Sequence, residues 1–196
     1  MNIEIFISGS GGQGIMSLGK ILAKTAMREN LHTTWYPSYG AEVRGGSAYC
    51  FVKISGNPIG SPLAAKPDIA VIFNKPSLGK FMKSFPAQKK CMVIINADLV
   101  EKKDAVKIKH KLIIPFNKIA LECGAARAVN VVALGVLVSL YPGIFKKETV
   151  LKVLAESLPQ GNSAENLKAF ERGLAAAKPA MDNSAKNKTQ NLPPRH

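Results

Sequence analysis

The chain has 196 residues, a length that suits one domain with at most a short appendage. Hydrophobic residues make up 46% and charged residues 20%, which excludes a disordered chain and supplies a core without staples. The net charge of +14, from 27 basic and 13 acidic residues, favours acidic or phosphorylated partners. No helix-turn-helix, zinc-finger or aromatic RNA-binding motif accompanies it, so no nucleic acid is expected as a partner.

Cys50, Cys91 and Cys123 stand 41 and 32 residues apart, so no Cys-x-x-Cys pair can start a zinc ribbon or a ferredoxin-type cluster. They read as buried thiols in a reducing cytoplasm. The opening residues lack a basic segment followed by a long apolar one, so no secretory leader is expected. The most apolar stretch, Val129–Leu140, carries Asn130 inside it and falls short of the roughly 18 residues of a membrane span. The expectation is a cytoplasmic protein without a membrane partner.

In chain order, residues 3–8 place Ile3, Ile5 and Ile7 around Glu4 and Phe6 and predict a buried strand. The glycine-rich residues 9–14 suit neither helix nor strand interior. Ile15–Arg28 predicts a helix with Ile15, Leu18 and Leu22 on one face. Residues 32–36 are β-branched and aromatic and predict a strand that stops at Pro37; residues 37–46 read as a loop. Residues 47–54 alternate and predict a third strand, followed by a turn signal at Ser55, Gly56, Asn57 and Pro58 that suggests an antiparallel hairpin.

Residues 68–73 and 91–95 read as buried strands around a helix at 76–85 that opens on a proline. A strand follows at 111–116, then a short helix capped by Asn117, a buried helix at Val129–Leu140 stopped by Pro142 and Gly143, and a helix at 148–158. Asn162, Ser163, Ala164 and Glu165 resemble a capping box for a last helix ending near Lys178. Residues 179–196 are polar and aperiodic and read as a disordered tail, leaving 1–178 as one domain. Strands alternating with helices predict an α/β, Rossmann-like three-layer fold: a mostly parallel sheet, helices on both faces and one antiparallel hairpin.

Gly9, Gly11 and Gly14 satisfy G-x-G-x-x-G, after a predicted strand and before a predicted helix. The helix N-terminus there favours an anion, which makes Gly9, Gly11, Gly12, Gln13 and Gly14 candidates for an anion contact. A dinucleotide site also needs an acid at the end of the second strand, and none stands before Glu42. A second constellation, Tyr39, Glu42, Arg44, Gly45 and Gly46, offers a guanidinium able to grip a carboxylate or phosphate and glycines that let a backbone pass close. It is a candidate ligand or subunit contact. Both loops leave strand C-termini and should meet at one sheet edge. No Ser/His/Asp set and no Gly-Asp-Gly segment appears, so neither catalytic residues nor metal ligands are assigned.

GSGGQGI at residues 9–15 together with PSYGAEVRGGS at 37–47 resembles the γ-subunit family of the 2-oxoacid:ferredoxin oxidoreductases, over about residues 1–175 and most like its 2-oxoglutarate/pyruvate branch. The resemblance implies a multisubunit enzyme that decarboxylates a 2-oxoacid, joins the acyl group to coenzyme A and passes electrons to ferredoxin. It implies α and β, and in some members δ, subunits as partners. Those partners would hold thiamine diphosphate, Mg and iron–sulfur clusters, with no cofactor in this chain. The same glycine loop would border the coenzyme A path, and the chain by itself would be inactive and prone to self-association. Two alternatives stay open: a free-standing nucleotide- or anion-binding Rossmann-like module, and an indolepyruvate oxidoreductase β subunit.

Overall fold

The structure, a computed structural model, describes residues 2–40, 46–63, 66–85, 91–157 and 163–189, with side chains up to Lys178. Its elements in chain order are β1 (Asn2–Ser10), α1 (Ile15–Arg28), β2 (His32–Tyr39), β3 (Ser47–Ser55), β4 (Ile69–Ile72) and α2 (Lys75–Ser84). They continue with β5 (Met92–Asn96), a 3-10 turn at Lys102–Ala105, β6 (Lys111–Ile114), α3 (Phe116–Glu122), α4 (Val129–Leu140), α5 (Lys147–Ser157) and α6 (Ser163–Thr189). The six strands form one sheet in the order β2-β3-β1-β4-β5-β6. β3 runs antiparallel to β1 and β2; the β1–β4, β4–β5 and β5–β6 pairs are parallel. The expected α/β sheet with helices on both faces is therefore present.

The antiparallel hairpin is present too, but in another place. Its arms are β2 and β3, in the register Tyr39↔Ala48 to His32↔Ser55, so its connection spans residues 40–46 rather than Asn57. After Asn57 the chain crosses to Asp68, whose N–H donates to Glu4 O at 2.8 Å and starts a parallel pairing. A turn signal marks where a strand ends; it does not choose the next partner.

β2 also runs past Pro37 to Tyr39. Gly40 N donates to Ser47 O at 2.6 Å, so the inward-facing amides of this edge strand are those of Gly40, Ser38 and Tyr36. The N–H that Pro37 lacks falls on the free outer edge, where a proline breaks no ladder bond.

The strand period divides the core. Ile3, Ile5 and Ile7 of β1 face a layer built from α1, α3, α4, α5 and α6. Phe6 faces the opposite layer with Phe51, Leu78 and Phe81 beneath α2 and the 3-10 turn. β4 and β5 are covered on both sides, which explains their unbroken apolar runs. α4 is buried almost all round because α6 crosses it closely at Gly135 and Gly173. At Gly19 of α1, an added Cβ would lie 2.7 Å from both Cys50 Sγ and Trp35 Nε1, so this glycine seats α1 on β2 and β3.

Two helix boundaries differ from expectation. Asn117 does not cap α3: Pro115 holds that position, and Asn96 Oδ1 accepts from Phe116 N at 3.1 Å. Asp98 Oδ2 accepts from Lys118 N at 3.0 Å, so the caps of α3 come from the end of β5. α6 continues to Thr189, past Lys178, so residues 179–189 of the expected tail carry helical backbone. Ala180, Met181 and Ala185 favour helix locally. Asn162 of the expected capping box and residues 190–196 lie outside the described residues.

Candidate functional site

Because β1 and β2 are both antiparallel to β3, they point the same way as β4, β5 and β6. Five strand C-termini therefore share one edge, and both glycine loops open there. They meet as expected: Gly11 N donates to Gly46 O at 3.1 Å. Tyr39 ends β2 and is 69% exposed beside them. Glu42, Arg44 and Gly45 lie outside the described residues.

The loop over residues 9–14 is shaped by close approaches. A Cβ on Gly9 would come within 2.6 Å of Ile15 Cδ1 and 2.7 Å of Gln13 Oε1. Gly14 has φ 73, and a Cβ there would lie 2.5 Å from the side chain of Asn130 in α4. Gly12, at φ 90, forms an open crest with nothing within 4 Å of a Cβ. Gln13 turns inward: its Oε1 accepts from Ser10 N at 2.7 Å and from Asn74 Nδ2 at 3.0 Å. That oxygen ties the loop to the end of β1 and the start of α2.

α1 opens without a side-chain cap. Leu18 N is its first amide with a helical acceptor, Gly14 O at 2.9 Å. The amides of Ile15, Met16 and Ser17 before it have no acceptor among the described residues. The two other helices that start at this edge differ. Asn74 Oδ1 accepts from Ser77 N of α2 at 3.0 Å, and Asn96 and Asp98 take amides of α3. Asn96 Nδ2 also donates to Phe73 O at 3.1 Å and to Asn117 Oδ1 at 2.7 Å. Side-chain amides thus line the ends of β4 and β5.

Asn74, Asn96 and Asn130 are site-forming residues that the sequence reading passed over. A signal was there for two of them, since residues 71–74 and 93–96 each end an apolar run on asparagine. Asn130 had no such signal, because only α4 packing brings it to Gly14.

Among the described residues of this edge, Lys75 pairs with Asp104 at 2.9 Å; Asp104 pushes the ammonium up, and Lys75 pulls the Asp104 carboxyl down. Burial pushes the thiols of Cys50 and Cys91 up to about 12, so neither is a nucleophile at neutral pH. All three cysteines are free and buried: Cys50 lies in β3, Cys91 just before β5 and Cys123 just after α3. Among the described residues no group of three or more His, Cys, Asp or Glu converges as metal ligands. These residues do not fit an iron–sulfur cluster or the metal ion of a bound diphosphate. Among the described residues no helix is long and apolar enough to cross a membrane.

Comparison with known proteins agrees with this architecture. A "2-oxoglutarate synthase subunit KorC" of Methanocaldococcus jannaschii is 35% identical over 181 residues, covering 91% of this chain and 95% of that protein. A "Ketoisovalerate oxidoreductase subunit VorA" of Methanothermobacter marburgensis is 40% identical over 141 residues, and there the aligned region spans only 28% of the longer protein. Among solved structures, the keto/oxoacid ferredoxin oxidoreductase γ subunit of Geobacter sulfurreducens superimposes with a TM-score of 0.79 at 27% identity, over 92% of this chain and 98% of that one. A 2-oxoglutarate:ferredoxin oxidoreductase chain of Magnetococcus marinus, solved with 2-oxoglutarate, coenzyme A and succinyl-CoA bound, gives a TM-score of 0.81 at 25% identity. It matches 91% of this chain and 31% of its own. The sequence pattern described as "Pyruvate ferredoxin/flavodoxin oxidoreductase" matches residues 4–176, nearly the whole folded body, and the chain belongs to that family.

Proposed function

We propose that this chain is the γ-type subunit of a 2-oxoacid:ferredoxin oxidoreductase, with its glycine-loop edge bordering the coenzyme A path. The observation that carries the subunit reading is one of extent. The chain matches separate subunits end to end but covers less than a third of the longer relatives. On this reading the chain completes an enzyme rather than constituting one, as the separate subunits of the same length do. Thiamine diphosphate, Mg and iron–sulfur clusters then belong to α, β and δ partners, and ferredoxin meets the assembly rather than this chain alone. Relatives named for 2-oxoglutarate and for ketoisovalerate both match, so the substrate class is the 2-oxoacid.

At the edge, the unpartnered amides of Ile15, Met16 and Ser17 suit a phosphate of coenzyme A, and the open crest at Gly12 lets it approach the backbone. Arg44, from the second loop, is the side chain proposed to reach a ligand or a partner. The chain's residues on this reading bind, orient and exclude water; they do not move protons.

Co-purification from the source cell tests the subunit reading. The expected result is a stoichiometric complex that reduces ferredoxin when given a 2-oxoacid and coenzyme A, while the isolated chain is colourless and inactive. A chain that purifies without partners, or one that binds a flavin or cluster by itself, would falsify it.

A further inference from the structure

Asn74 does more than a helix cap requires. Its side chain is buried, at 8% exposure, and uses both of its ends. Oδ1 accepts from Ser77 N at 3.0 Å and caps α2. Nδ2 donates to Gln13 Oε1 at 3.0 Å and to Ser10 Oγ at 2.8 Å, and that same Gln13 oxygen accepts from Ser10 N at 2.7 Å. Capping needs only an oxygen at this position, and serine supplies one about as well. The donor half of the amide instead ties the first turn of α2 to the loop that leads into α1.

We propose that Asn74 is a positioning residue for the loop over residues 9–14. By holding Gln13, it keeps the loop in one conformation before any ligand arrives, with Gly11 fixed to Gly46 on one side and Gly14 against Asn130 on the other. Preorganisation of this kind spares a ligand the ordering of the loop on binding. Buried side-chain networks impose one arrangement when every member is satisfied. The inference rests on the reading of this edge as a ligand border.

The test uses Asn74→Ser and Asn74→Ala in the full chain and in the purified complex. Serine retains the cap oxygen but cannot reach Gln13; alanine loses both tasks. In the full chain, Asn74→Ser is expected to speed amide hydrogen exchange at Ser10, Gly11 and Gln13 about 10-fold or more while moving the melting temperature less than Asn74→Ala does. In the complex, the KM for coenzyme A is expected to rise several-fold with the KM for the 2-oxoacid unchanged, a split that general destabilisation does not produce. Unchanged exchange in Asn74→Ser overturns the anchoring. Faster exchange with an unchanged coenzyme A KM overturns the positioning role. If the wild-type complex neither forms nor oxidises a 2-oxoacid, the subunit reading fails instead, and the exchange measurement still decides whether Asn74 anchors the loop.

Discussion

Replacing Gly135 by alanine tests the crossing of α4 and α6, which holds the helical layer together. A Cβ on Gly135 would stand 2.2 Å from Phe170 O and 2.8 Å from Leu174 N, and both obstacles are backbone. The contact is reciprocal: a Cβ on Gly173 would stand 2.2 Å from Val132 O. Ordinary carbon–oxygen contact needs about 1 Å more, so the helices must separate along a buried seam lined by Val132, Val136 and Phe170. Overpacking of this kind costs about 1–3 kcal/mol and sometimes more, and the better helix propensity of alanine returns at most about 1 kcal/mol. Because the obstacles are backbone and cannot swing aside, the cost falls near the upper end, about 3 kcal/mol, and the expected net loss is about 2 kcal/mol, or roughly 4–8 °C in melting temperature for a chain of this length. Gly79 is the control, because it lies in α2 with open space around its Cβ; Gly79→Ala should leave stability unchanged or raise it by up to about 1 kcal/mol. Thermal unfolding of the three single variants and of the Gly135/Gly173 double variant reads the result. The double variant should cost less than the two losses added, since one separation relieves both clashes. Gly135→Ala or Gly173→Ala melting at or above the wild-type temperature would refute the reasoning.

Stability should fall at both ends of the pH scale. Glu29 is held below the usual carboxylate range by Lys146 and then Thr149, Asp104 by Lys75, and Glu156 by Arg28. Carboxyls with depressed folded pKa contribute stability that is complete above their ordinary range, about pH 4, and lost as pH falls through the folded value, so Glu29→Gln should flatten the acid limb of a urea-midpoint profile. Burial raises Cys50 and Cys91 to about 12, so each thiol favours the unfolded state by about 1.4 kcal/mol per pH unit as pH climbs from about 9 toward 12. A disulfide reagent at pH 7–8 should find no reactive thiol in the native chain and all three in denaturant; fast native labelling would contradict the burial of Cys50, Cys91 and Cys123. Arg44→Ala should leave the melting temperature of the isolated chain nearly unchanged while weakening assembly or coenzyme A use in the complex, and Arg44→Lys should not restore it if the planar fork matters. Removing residues 179–196 should leave folding and assembly nearly unchanged, since the segment is terminal and rich in polar residues; a large drop in melting temperature would show that it docks on the body.

Local features of the sequence determined most of the elements. Val129–Leu140 and Ile15–Arg28 emerge at their own boundaries, because a run of buried side chains in one case and a glycine before the helix in the other need no distant information. The meeting of the two glycine loops was legible for a similar reason. Parallel strands place their C-terminal ends at one edge, whichever residues they carry. The family too was legible, since its two motifs are short, ordered in the chain and dense in glycine.

Pairing and polar closure were decided only by the tertiary structure. The hairpin at residues 40–46, rather than at Asn57, follows from which strand β3 finds as a neighbour, and that choice is settled by the whole sheet. Pro37 looked like a strand end until its missing N–H fell on the open edge. Asn117 has the composition of a cap, but Asn96 and Asp98 reach the amides of α3 from another strand. Gln13 reads as a ligand contact by its place in the motif, and only the fold brings its Oε1 to Asn74, 61 residues away in sequence. A hydrogen bond between groups far apart along the chain depends on the packing that brings them within about 3 Å, and no local pattern of residues encodes that distance.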